Sequence, residues 1–120
     1  MDIEAIRKYC LSMPHATEDI QWGNNLLFRI RKKMFAVVAL DQTPPGVSFK
    51  CTPEEFAELV EREGIIPAPY MARNHWVLLE SPDVLPRDEL RRLVRNSYQM
   101  VAAKLPKKVR VELGLAVSGR

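Results

Sequence analysis

The chain has 120 residues, 47% of them hydrophobic and 28% charged, with a formal net charge of +3 at pH 7. That size and balance fit one soluble globular domain with its own core, leave little room for a second, and exclude a disordered chain. No apolar run approaches the roughly 18 residues of a membrane helix, so no membrane span is expected.

The opening MDIEAIRKYC has early acidic residues and no apolar stretch before a small-residue cleavage site, so no secretory signal is expected and the expected location is cytoplasmic. Asp2 is placed to cap a helix over Ile3 to Met13, in which Ile3, Ile6 and Cys10 recur at helical spacing before Pro14 bars continuation. PHATED reads as a loop; IQW, the turn pair Gly23-Asn24 and NLLFRI then read as a hairpin. A turn at Arg31, Lys32 and Lys33 leads into KMFAVVAL, which is apolar on both faces and therefore expected as a central strand. After the loop DQTPPG, GVSFKC alternates Val47, Phe49 and Cys51 inward against Ser48 and Lys50 outward. Four successive strands predict an antiparallel meander.

Thr52-Pro53-Glu54-Glu55 combines an N-cap threonine, a proline at the first helical position and a glutamate placed to complete a capping box. The second helix buries Phe56, Leu59 and Val60, turns Glu54, Glu58, Glu61 and Glu63 to solvent, and ends at Gly64. Pro67 and Pro69 predict an irregular loop from Ile65 to Asn74, followed by HWVLLE as the last strand. RDELRRLVRNSYQMVAAKL carries Leu90, Leu93, Val94, Tyr98, Val101, Ala102 and Leu105 at three- and four-residue steps, which predicts the longest helix. Beyond Pro106 a loosely ordered tail is expected, with one helical turn around Val109 to Leu113. The predicted order is α-β-β-β-β-α-β-α, a single two-layer α+β domain with helices packed on an antiparallel sheet.

No enzyme signature is visible: the serines lack nucleophile-elbow surroundings and the glycines are scattered at turns rather than grouped around a phosphate. Cys10 and Cys51 sit in apolar patterns without a close partner and read as small buried hydrophobes. His15 with Glu18 and Asp19, even with His75 added, lacks the ligand spacing of a metal site, so neither a metal nor a cofactor is expected. Basic residues are the stronger signal, in a chain of pI about 9.0. Arg29, Arg31 and Lys33 share a strand face with Lys32 at the hairpin tip, forming a small cationic wing suited to phosphates. Arg87, Arg91, Arg92 and Arg95 line the last long helix, where Asp88 and Glu89 at helical spacing are expected to pair with Arg92; Lys104, Lys107, Lys108 and Arg110 surround its end.

Several passages together resemble the MmcQ/YjbR family of small bacterial proteins: ATED followed by WG, Tyr70-Met71 leading to His75-Trp76 in PYMARNHWVLLE, and SYQMV followed by LPK. The likeness runs over nearly the whole chain. It implies an α+β fold of the secretion-chaperone-like or frataxin-like kind and the family's description as predicted DNA-binding proteins with a double-wing motif, with no catalytic residues to carry over. Iron binding of the frataxin sort needs an acidic ridge on the first helix, whereas this one has Asp2 and Glu4 beside Arg7 and Lys8. MARN stands where lysines often occur in relatives, which lowers the positive charge of that loop.

The leading expectation is therefore a non-enzymatic DNA-binding module that contacts phosphates through Arg29, Arg31, Lys32 and Lys33, with Arg73, Asn74, His75 and Trp76 as a second contact surface. Trp76, at the strand start, is expected chiefly as a packing anchor. The competing expectation is a protein- or small-ligand-interaction module with an apolar groove around Tyr70, Met71 and Trp76.

Overall fold

The computed structural model describes residues 1–69 and 71–115. Helix α1 (Ile3–Leu11) is capped as its sequence demands, the Asp2 carboxylate accepting from the Ala5 N–H, and it buries Ile6 and Cys10. Strands β1 (Ala16–Gln21), β2 (Asn25–Ile30), β3 (Lys33–Ala39) and β4 (Gly46–Lys50) follow as the expected meander.

One correction falls on PHATED, where ATED is not loop but the body of β1, paired with β2 from Ala16↔Ile30 to Gln21↔Asn25. An edge strand needs ladder partners on one side only, and its acidic residues discourage further pairing, so a polar sequence is at home there. Glu18 also gains a partner, accepting from Arg7 of α1 in a two-pronged ion pair whose shortest N–O distance is 2.6 Å.

Thr52 and Glu55 form the predicted capping box at the start of α2 (Pro53–Leu59). The second correction concerns Ile65 to Asn74. Strand β5 (Ile65–Pro67) pairs with β6 (Trp76–Leu79), and a 3-10 turn occupies Ala72–Asn74. β5 is the outer strand of the order β1-β2-β3-β4-β6-β5. At a sheet edge the missing proline N–H need not meet a neighbour, which is why Pro67 is tolerated. His75 enters β6 with a left-handed backbone at φ 63.

Helix α3 (Arg87–Ala103) crosses one face of the sheet and buries Leu90, Leu93, Val94, Ser97, Tyr98 and Ala102; α4 (Lys107–Glu112) turns back after Pro106. The main core lies between this helix layer and the sheet, around Phe28, Phe35, Val38, Phe49 and Leu79. On the other face a smaller cluster of Leu27, Val37, Ala68 and Trp76 is covered by the chain leading into β6. Two-sided burial is thus the reason β3 is apolar on both faces. The expected pairing of Arg92 with Asp88 or Glu89 gives way to ties between elements: Glu89 pairs with Arg62 at 2.7 Å, and Arg92 with Glu55 at 3.7 Å.

Candidate functional site

β3 and β4 pair only from Ala36↔Phe49 to Ala39↔Gly46. Beyond that point β3 stays with β2 as far as Ile30↔Lys33, while β4 stays with β6 as far as Lys50↔Trp76, so the sheet opens. Ser97 fills the gap. Its buried hydroxyl donates to the Phe35 carbonyl at 2.7 Å and accepts from the Lys50 N–H at 3.0 Å, standing in for ladder bonds the strands no longer make.

A cleft of about 610 Å³ lies at this opening. Arg29, Lys32 and Lys33 reach it from the β2–β3 hairpin, Lys50 from the end of β4, and Lys104 from the end of α3. Val101 and Lys104 follow Ser97 at helical spacing, so the face of α3 that bridges the strands also supplies part of the wall. Met34, Met71 and Trp76 give apolar floor, with Asn74 at the rim; among the described residues that line the cleft, none is acidic.

The electrostatics are those of gathered cations. Burial and the neighbouring Lys104 charge push the Lys50 ammonium below the ordinary lysine range. Its Nζ donates to the Asn74 carbonyl at 3.1 Å, which fixes the head group at the cleft rim. Arg29 is half-buried. Its Nε is shielded from solvent and lies 3.3 Å from Asp19 Oδ1, out of line for a hydrogen bond.

The sequence-derived site residues separate into two groups. Arg29, Lys32, Lys33, Asn74 and Trp76 come together on the cleft, so the wing and part of the histidine loop share one surface. Arg31, Arg73 and His75 do not line it. Arg31, at φ 56 in the hairpin turn, points to Glu112 at 3.3 Å beside His15 and Leu113. Arg73 is exposed on the 3-10 turn, and the His75 ring packs edge-on against Phe56, with centroids 5.5 Å apart. The His75 carbonyl accepts from both the Cys51 N–H and the Cys51 thiol, a packing role. Trp76 is 6% exposed and serves as the anchor expected of it. Tyr70 lies outside the described residues.

Lys50, Lys104 and Trp22 were not singled out as one site by sequence. Lys50 was legible as the outward residue of its strand and Lys104 as part of a terminal basic group; only the folded chain brings them together. His15, weighed above with Glu18 and Asp19 and not expected to hold a metal, lies with Nε2 2.6 Å from the Leu113 carbonyl.

A neutral groove of about 510 Å³ adjoins the cleft on the helix-free face. Val37, Ala39 and Leu78 make its floor, Asn25, Gln42 and Ser48 supply polar groups, and Trp22 and Met71 line both groove and cleft.

The model of the YjbR family matches residues 11–100 of this chain. The chain belongs to the YjbR family. An Escherichia coli K12 relative, the uncharacterized protein YjbR, is 28% identical over 114 residues, spanning 92% of this chain and 95% of the relative. The crystal structure of Deinococcus radiodurans protein DR2400, with a DUF419 domain, superposes at TM-score 0.87 with 29% identity, covering 98% of this chain and 93% of the other. A Pseudomonas syringae crystal structure matches at TM-score 0.67 and 24% identity over 84% of this chain and 99% of that one, which extends the likeness of fold. The α+β architecture read from sequence is thus the YjbR-like fold.

Proposed function

We propose that this YjbR-family chain is a non-enzymatic, cytoplasmic nucleic-acid-binding module that holds phosphates in the cationic cleft. The observation that carries the reading is the convergence of Arg29, Lys32, Lys33, Lys50 and Lys104 from separate elements onto one concave surface without a lining carboxylate. Assembling like charges opposes folding, and a polyanion relieves that repulsion; the Lys50 ammonium, disfavoured first by burial and second by the Lys104 charge, gains from an anionic partner on both counts. Under this reading the β2–β3 hairpin is a wing of the family's double-wing description. The acidic surface of α2 and the turn after it, with exposed Glu54 and Glu58 on the helix and Glu61 and Glu63 beyond its end, repels phosphate and orients the cleft toward the ligand.

The test is fluorescence anisotropy with labelled DNA across a salt series. Binding tight at low salt and lost with rising salt supports the reading, as does its loss on K32E/K33E. Absence of binding at low salt, or indifference to that double substitution, overturns it. The competing reading expects a peptide or metabolite in an apolar groove around Tyr70, Met71 and Trp76; Met71 lines the neutral groove while Trp76 lines the cationic cleft, and the groove's apolar floor favours such an occupant. Capture of a defined partner that survives nuclease and depends on Met71 and Leu78 is the result that reading requires.

A further inference from the structure

Trp22 stands between the cationic cleft and the neutral groove, lining both, yet is 62% exposed. A tryptophan left in water is an unspent apolar surface, and this one also adopts a left-handed backbone at φ 53, a conformation bulky side chains rarely take. The turn holds it there: the Asn25 side-chain amide donates to the Trp22 carbonyl at 2.9 Å, and Gly23 follows at φ 85. The chain thus maintains an unfavourable backbone state in order to present an indole at the lip of a groove.

We propose that the ligand is a single-stranded nucleic acid, with its phosphates in the cationic cleft and an unpaired base lodged in the neutral groove against the Trp22 indole. This rests on the phosphate-binding reading above and narrows it. The two compartments differ as the two parts of a nucleotide differ. One gathers cations. The other presents Val37, Ala39 and Leu78 to a flat apolar face, with the Asn25 and Gln42 amides and the Ser48 hydroxyl at hand for base edges. A base in a duplex has both faces covered by its neighbours and cannot enter such a groove, whereas a single strand offers its bases freely. A groove of about 510 Å³ is large enough for one base and its sugar.

The experiment compares three probes of equal length: oligothymidylate, a DNA duplex and an abasic deoxyribose-phosphate oligomer. Oligothymidylate is expected to bind the wild-type protein about tenfold or more tighter than the duplex, and to quench Trp22 in a W76F variant, which retains Trp22 as its one tryptophan. W22A is expected to lose about tenfold in affinity for oligothymidylate while keeping its affinity for the abasic oligomer, and W22F to recover most of the loss. Trp22 is exposed, so its truncation spares the core, and anisotropy on W22A decides the matter without W76F. Equal affinity for duplex and single strand, or a W22A variant that binds oligothymidylate like wild type, overturns base stacking and leaves phosphate binding standing. Failure of all three probes to bind at low salt overturns both. Quenching of Trp22 by raised protein concentration alone assigns the indole to a contact between copies and overturns the proposal.

Discussion

Ser97 decides where the sheet opens. Its hydroxyl is wholly buried and satisfies the Phe35 carbonyl and the Lys50 N–H together. Replacing it with alanine leaves both backbone groups unpaired in the interior, a cost of about 1–3 kcal/mol for a buried unsatisfied group. S97A is therefore expected to lower the urea midpoint with an unchanged m-value. Nothing in the sequence marked this serine, because a polar residue on a helix ordinarily faces water and only the packed partner strands reveal a different role. The cysteines were legible, since a thiol inside an apolar pattern is a small hydrophobe wherever the helix or strand lies. Burial pushes both thiols from an ordinary 9.0 up to about 12. The folded state thus holds its thiol protons more tightly than the unfolded state. Their contribution is intact below pH 9.0 and is lost as pH rises toward about 12, where ionisation favours the unfolded chain. C10A should accordingly show a shallower fall of Tm than wild type between those limits, and the native protein should resist a thiol reagent at neutral pH until denatured.

At the scale of elements, the helices and central strands could be read from periodicity and caps, whereas of the two edge strands only the end of β1, at Ile20 and Gln21, was legible as a hairpin arm and β5 was not. β1 is polar because it is an edge, and β5 ends in proline because its free side requires no donor. Each is held by pairing with the next strand along the chain, β2 for β1 and β6 for β5, and composition does not record that pairing. β5 also depends on the turn before it. Gly64 adopts φ 87, its carbonyl accepts from the Glu80 N–H at 2.8 Å, and a Cβ placed on it would stand 2.8 Å from Val84 Cγ2. G64A is expected to destabilise the fold by about 1–2 kcal/mol, the cost of a left-handed non-glycine residue compounded by that close contact. Thermal unfolding checks the size. Hydrogen exchange at Ile65 and Leu79, residues opposed across β5 and β6, checks the place.

For the whole molecule the governing feature is the partition of charge. The acidic side of α2 and the cationic cleft carry opposite signs, so a modest net charge of +3 conceals a polar molecule. K50E/K104E is expected to abolish DNA binding, whereas K107E/K108E, equal in charge but outside the cleft lining, should weaken it only slightly. If the five cleft cations all contact phosphates, the log–log salt slope is about −4.5 for duplex and about −3.5 for single-stranded ligand, and each lost contact makes it shallower. Salt titration of the two variants measures this directly.

The sequence by itself determined the α+β class, the meander, the caps, the long helix, the buried cysteines and the basic hairpin with its Arg29, Lys32 and Lys33. Each depends on neighbours within a turn or an alternation, over distances that covalent geometry controls. Only the tertiary structure decided that Arg31 turns away to Glu112, that His75 packs on Phe56, and that Lys50, Lys104 and Trp22 join the wing around one cleft. Those residues are far apart along the chain. What brings them together is the parting of β3 from β4 beneath α3, a packing outcome that local pattern does not encode.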